Sequence, residues 1–227
     1  MRETKRGPGA ARNCGLRAAK HDVIAFTDAD CVVDKDWLRH LVTPLQDPSV
    51  GIAGGKILAR RPCSPIEAFS ERLDDQENAL KSRAFYAITM NWASRLAVLQ
   101  EVGLFDESFP RGEDSDLSYR VFLAGYRAAY TPDAVVYHRN PTTRWSLFIE
   151  GGQHGFASVR LSKKHAITRR QLGYRRIYPR TYLALLQQLA ALCAGRDRSF
   201  ALCFLAFNGG KKIGKLLGSI QFGYLEL

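Results

Sequence analysis

What the chain lacks narrows its identity first. No stretch approaches the ~20 apolar residues of a membrane-spanning helix, the two apolar runs of the C-terminal part being Tyr182–Ala194 and Phe200–Phe207. The N-terminus, Met-Arg-Glu-Thr-Lys-Arg-Gly-Pro-Gly, has no apolar run of the signal-peptide kind, so nothing in it directs export. There is no C-x-x-C pair: Cys14, Cys31, Cys63, Cys193 and Cys203 are scattered and odd in number, which supports neither a disulfide framework nor a zinc site and points to a reducing, cytoplasmic compartment. Internal repeats are absent. So are zinc-finger, RNP and basic-zipper patterns, and nucleic acid is not expected as a partner.

What is present is the composition of a folded globular protein. The 227 residues are 46% hydrophobic and 24% charged, enough to bury a real core in one large domain or a domain with an appendage. The net charge is +11, and its placement matters more than its size. Residues 1–140 hold 19 Lys/Arg and 19 Asp/Glu; residues 141–227 hold 14 and 3, so the whole excess lies in the tail. A balanced domain followed by a basic appendage suggests that the tail meets a polyanion or an anionic membrane surface, although a solvated basic face is the plainer explanation.

Val23-Ile24-Ala25-Phe26-Thr27 reads as a buried strand that ends abruptly at Asp28-Ala29-Asp30. Acidic residues at the C-terminal end of a strand lie where open α/β sheets place their ligands. Before this strand Gly7-Pro8-Gly9 opens a helix running to Ala19. After it Asp36 caps a helix from Trp37 to Leu45, stopped by Gln46-Asp47-Pro48, and Val50–Gly55 forms the next strand and turn. This alternation predicts an α/β fold with a mostly parallel, doubly wound sheet. Further on, Pro65–Leu80 reads as one polar helix, Arg95–Val102 as a shorter one, and Glu113–Ala124 as an amphipathic helix capped by Gly125. Two short strands, Ala128–Tyr130 and Val135–Tyr137, flank a Pro132-Asp133 turn and end at His138. The boundaries expected are a domain over residues 1–145 and a basic helical appendage over 146–227. The two apolar runs of that appendage fit buried packing helices and interfacial amphipathic segments equally well.

Asp28 and Asp30 can present oxygens to a hard divalent cation such as Mg²⁺ or Mn²⁺. A lone D-x-D is weak, and only its position after a buried-type strand raises it above a solvated acidic turn. The run Gly112-Glu113-Asp114-Ser115-Asp116 crowds acids at the start of a helix, where they stabilise the helix dipole without any catalytic role; alternatively one carboxylate there is a general base at the rim of the same cleft. His138 is either a satisfied core histidine or a nitrogen ligand to the metal.

Taken in order, G-P-G-A-A-R-N-x-G-L (Gly7–Leu16), F-T-D-A-D-C (Phe26–Cys31), D-W-L (Asp36–Leu38), G-G-K-I (Gly54–Ile57), L-x-E-V-G-L-F-D-E (Leu99–Glu107), G-E-D-x-D-L-S-Y-R (Gly112–Arg120), A-G-Y-R (Ala124–Arg127) and P-D-A-V-V-Y-H (Pro132–His138) make a series that closely resembles the family-2 glycosyltransferases. The resemblance covers most of residues 7–140. It implies a nucleotide-diphospho-sugar transferase fold and a metal-dependent, inverting transfer of a sugar from a nucleotide-diphosphate donor to a hydroxyl acceptor. Cell-surface polysaccharide or glycolipid synthesis is the setting, with a lipid-linked alcohol among the acceptors and the inner face of the plasma membrane as the surface a basic tail would hold. Carried onto this chain, Asp30 is the principal metal ligand with Asp28 and His138 joining it. Asp114 is the catalytic base with Glu113 beside it, and Arg12, Asn13, Asp28 and Arg144 serve the donor; Gly54, Asn91 and Trp92 are the nearest candidates for sugar selectivity. Arg144-Trp145 is similar to the R-W pair of processive members, but Pro141 stands where their Gln would be, against a processive synthase.

The family's usual opening strands and nucleotide-base loop have no counterpart in this sequence. The strand at Val23–Thr27 is therefore expected to lack its sheet neighbour and leave an exposed edge. A second reading stays open on that ground: an inactive or truncated transferase-like protein acting as a membrane- or polyanion-binding subunit.

Overall fold

The computed structural model describes residues 3–60, 64–177 and 179–227, and Cys63 lies outside them. In chain order the elements are α1 (Pro8–Ala18), β1 (Val23–Phe26), β2 (Cys31–Val33), α2 (Trp37–Val42), β3 (Val50–Ala59), α3 (Pro65–Glu71), α4 (Gln76–Lys81), β4 (Trp92–Arg95), α5 (Leu96–Glu101), α6 (Glu113–Leu123), β5 (Arg127–His138), α7 (Arg144–Lys164), α8 (Ala166–Gln171), α9 (Pro179–Cys193) and α10 (Arg198–Phe222). They divide into two compact units, Met1–Arg61 with Asp74–Arg139, and Pro62–Leu73 with Asn140–Leu227.

The first unit is built on a five-stranded sheet in the order β1-β4-β3-β5-β2. The α/β class holds, but the sheet is mixed where a mostly parallel one was expected: β3 and β5 pair in parallel, and the other three pairings are antiparallel. The reason is an insertion. A simple crossover would set β1 beside β3, but β4 enters between them, with Ala93 facing both Ala25 and Ala53. β1 therefore does have a neighbour, and its other side is the sheet edge.

Side-chain alternation lets the sheet carry a core on each face. Ile52 and Trp92 join Leu16, Phe26, Leu99, Phe105 and Leu117 on one side; their chain neighbours Ala53 and Ala93 join Leu41, Leu45 and Val50 on the other. Trp92 has no exposed surface and stacks on Phe26 with ring centroids 4.6 Å apart. The two short strands read between Ala128 and Tyr137 are one strand, β5, whose register jumps from Gly55↔Thr131 to Lys56↔Val135. The bulged residues bring the Ala134 carbonyl against Gly55, where a Cβ would sit 2.1 Å from it, so only glycine fits.

The polar helix expected over Pro65–Leu80 is two helices. Ser64 caps α3 by accepting from the Glu67 amide, and Asp75 caps α4 by accepting from the Asn78 amide. An aspartate that captures a backbone amide in a turn competes with continued helix, which is why the run breaks at Asp74-Asp75.

The second unit is helical. Its α7 and α10 meet along glycines: a Cβ on Gly151 or Gly155 would lie 2.0 Å from the carbonyls of Phe207 or Lys211, and one on Gly210 would lie 2.0 Å from that of Phe148. Positions rise together along both helices, so they run parallel, backbone against backbone. Phe69, Leu147, Cys203 and Phe207 form the buried cluster of this unit, whereas α9 buries none of its residues. Among the described residues, no helix is long and apolar enough to cross a membrane.

Candidate active site

Two stretches of the first unit carry the acids, the turn after β1 and the first turn of α6, and Arg12 of α1 joins them. Its guanidinium lies 3.1 Å from Asp28 Oδ1 and also bonds Glu113 Oε1. Gly112, in the left-handed region at φ 82°, turns the chain so that Glu113, Asp114 and Asp116 open α6. Asp116 is fully buried and pairs with Arg120 at 2.9 Å, which also donates to the carbonyls of Val102 and Leu104; this acid is structural. Asp114 is held differently. One carboxylate oxygen accepts from the Ser115 amide at 2.7 Å, the other from Thr89 Oγ1 at 3.0 Å, so the carboxyl plane is fixed while it keeps further acceptor capacity.

Glu113 is 5% exposed. Burial first, and the neighbouring Asp114 carboxylate second, push its pKa above the ordinary carboxylate range, and Arg12 offsets this only in part. A buried acid whose pKa is shifted upward by desolvation and a specific charged neighbour marks a candidate functional site.

The third element is His138 at the end of β5. Its imidazole stands between two carboxylates, Nε2 3.7 Å from Asp30 Oδ2 and Nδ1 3.6 Å from Asp74 Oδ2. The β2–β5 register, Cys31↔His138, brings Asp30 and His138 together from opposite ends of the unit's sequence. Asp74 escaped the sequence reading because it looked like the interior of a polar helix; the Asp-Asp doublet that breaks that helix was the available signal. Among the described residues, no group of three or more His, Cys, Asp or Glu is placed to hold a metal ion unaided. The Asp30–His138 pair nonetheless suits a divalent ion that completes its shell with water and phosphate oxygens, with Asp74 on the far ring nitrogen as an orienting carboxylate. Cys31, beside the pair, has its thiol pushed up to about 11, chiefly by burial, and is no nucleophile at neutral pH.

The other expected site residues make contacts of a different kind. Asn13 is buried and clamps the Phe105 backbone, donating to its carbonyl at 2.9 Å and accepting from its amide at 3.0 Å, while also donating to Glu107 Oε1. Its amide holds α1 to the segment after α5. Asn91 and Trp92, considered for sugar selectivity, have no exposed surface. Asn91 donates to the Lys56 and Ala134 carbonyls and accepts from Trp37 Nε1. Gly54 is packed under Gln76 and Leu80, where a Cβ would come within 2.6 Å. All three are packed in the core of the first unit. Arg144 lies in the other unit, in the first turn of α7, where it hydrogen-bonds the Cys203 thiol.

The fold is of the GT-A type found in nucleotide-sugar transferases. Among solved structures, the chain superposes on a mannosyltransferase from Pyrobaculum calidifontis determined with GDP-mannose and Mn²⁺, at a TM-score of 0.51 and 21% identity over 96% of this chain and 58% of that one. Residues 1–102 match the Glycosyl transferase family 2 model. The pre-mycofactocin glycosyltransferase of Mycobacterium tuberculosis is 31% identical over 70% of this chain and 36% of its own length. The glycosyltransferase AglE of Haloferax volcanii is 28% identical over 61% of this chain and 46% of its own. The chain thus spans between a third and a half of these relatives.

Proposed function

We propose that the chain transfers a sugar from a nucleotide-diphosphate donor to a hydroxyl acceptor, with inversion at the anomeric carbon. One observation supports this reading: Arg12 bridges the strand-end aspartate Asp28 and Glu113, the residue next to the candidate base Asp114. Asp30 and His138 would hold a divalent ion, Mg²⁺ or Mn²⁺, with Asp28 contributing from the same turn. When bound, such an ion neutralises charge on a departing nucleoside diphosphate. The chain's own residues do the rest. Asp114, oriented by Thr89 and Ser115, takes the proton of the acceptor hydroxyl. Arg12, over the Phe105 ring at 5.7 Å and gripped by two acids, keeps their geometry fixed. The Mn²⁺ and nucleotide sugar bound by the Pyrobaculum neighbour support the metal and the donor class.

Titration of the purified chain with UDP- and GDP-sugars, with Mn²⁺ or with EDTA, tests the reading. Donor binding that needs the metal and is lost in Asp30→Asn is the expected result. Affinity indifferent to both changes would overturn it. Metal-dependent binding without transfer to any alcohol would favour the inactive-subunit reading instead.

A membrane-surface location for the second unit is favoured by α9, which presents Leu183, Leu186 and Leu189 at 49–63% exposure in a region whose charge excess is wholly basic. Leucines three residues apart on one face beside cationic side chains are the pattern of an interfacial helix. Co-sedimentation with anionic but not neutral vesicles is expected, and Leu186→Glu should abolish it. A polysaccharide or glycolipid product is the setting consistent with both parts.

A further inference from the structure

The second unit holds a cavity of about 410 Å³ whose lining includes Arg169, Arg170, Arg175, Arg176, Ser162 and Glu226. The local sequence explains it. Two Arg-Arg pairs flank a turn at Gly173, which sits at φ +77°. The Tyr174 amide returns to the Arg169 carbonyl at 2.9 Å and the Gly173 amide to that of Arg170 at 3.0 Å, closing α8 and folding the second pair back beside the first. The C-terminal segment forms another wall, tied by the Leu227 amide to the Arg176 carbonyl at 2.8 Å.

Charge and satisfaction both point to an anion. Among the described residues, four guanidinium groups line the cavity against a single carboxylate, Glu226, which is itself buried and neutralised by Lys215 at 2.9 Å. Two of the arginines rest on aromatic rings: Arg169 Cζ lies 4.3 Å from the Tyr174 ring centroid and Arg176 Cζ 4.4 Å from that of Tyr224. A guanidinium stacked on an aromatic face keeps its N–H edge for a planar or tetrahedral oxyanion. Ser162 adds an independent sign. It is 3% exposed, lines the cavity, and its hydroxyl has no hydrogen-bond partner among the described residues, a state that a ligand oxygen would relieve. The volume is that of a small-molecule site and exceeds what a lone chloride requires.

We propose that this cavity binds a phosphate group carried as a phosphomonoester or diphosphate, gripped by the four arginines and the Ser162 hydroxyl. The site stands apart from the transfer reading, because all its residues belong to the second unit. Two sources share the chemistry, a free phosphate compound and the headgroup of an anionic lipid.

Titrating the full chain with pyrophosphate in EDTA, which removes metal-assisted binding at the first unit, tests the site. Saturable binding is expected. The doubly substituted Arg170→Lys, Arg176→Lys chain keeps its charge but loses the two-pronged N–H edge, and should bind about tenfold more weakly or worse. Ser162→Ala should cost roughly threefold and decides the matter if the double variant fails to fold. Vesicles of phosphatidylcholine doped with phosphatidic acid or with phosphatidylglycerol separate the sources. A preference for phosphatidic acid that the substitutions erase assigns the phosphate to a lipid headgroup; equal vesicle binding alongside substitution-sensitive pyrophosphate binding assigns it to a soluble compound. Affinity for both probes unaltered in both variants would overturn the proposal.

Discussion

The two units of this chain use charge in opposite ways. In the first, cations and anions are balanced and locked together: Arg120 with Asp116, Arg12 with Asp28 and Glu113, Arg95 on the carbonyls of Leu45, Pro48 and Val50. In the second, cations crowd one another. Lys212 is pushed down to about 8, first by burial and then by Lys215 and Lys211, and rests 3.7 Å over the Tyr182 ring. The packing differs in the same sense. The first unit is closed by large side chains around Trp92 and Phe105 on one face of its sheet; the second draws α7 and α10 together on bare glycine backbone. Paired acids on turns carried by a rigid sheet are suited to chemistry, and unbalanced cations on helices to holding something anionic.

That division can be broken or sharpened by experiment, beginning with the largest effect. If catalysis resides in the first unit, Asp114→Asn should lower transfer by ~10²–10⁴-fold with donor affinity kept; an equal loss from a substitution in α9 would dissolve the distinction. Gly151→Ala places a Cβ 2.0 Å from a backbone carbonyl that cannot yield, and should cost about 1–3 kcal/mol or more, read as a lower melting temperature of the second unit.

Glu113 supplies a pH signature for the first unit. Its folded pKa is raised, so the folded state binds the proton more tightly than the unfolded one. Its contribution to stability is complete below the ordinary value of 4.5 and is lost as pH rises through the raised one. Denaturation midpoints across that window should fall with pH, and Glu113→Gln should flatten the slope. The smallest effect contrasts with Gly151. At Gly15, in the middle of α1, an added Cβ meets nothing within 4 Å, so Gly15→Ala should stabilise by about 0.5–1 kcal/mol. A melting temperature that drops for both glycines would remove the claim that the glycine seam is special to the second unit.

The readable parts of the site were those in which motif and local signal coincide. Asp28-Ala29-Asp30 ends a strand, Glu113-Asp114 opens a helix after a glycine, and His138 closes a strand, each as expected from sequence. Asn13 belongs to an equally clear motif yet lies in the core, because a motif residue can serve packing as readily as chemistry. The seam glycines at 151, 155, 210 and 214 went unread even though their four-residue spacing was visible; that spacing becomes a signal only once two helices are known to face each other.

The sequence by itself determined the α/β class, the charge asymmetry, the positions of most helices and the acids that end β1 and open α6, because caps, apolar runs and turn residues act within a few positions of one another. Tertiary structure alone decided that β4 enters between β1 and β3, that Arg12 joins Asp28 to Glu113, that Asp74 stands behind His138, and that four arginines and Ser162 share a cavity. Those choices are made by burial and hydrogen bonding between residues far apart in the chain, where each strand edge or buried polar group has many potential partners and only the folded whole selects one.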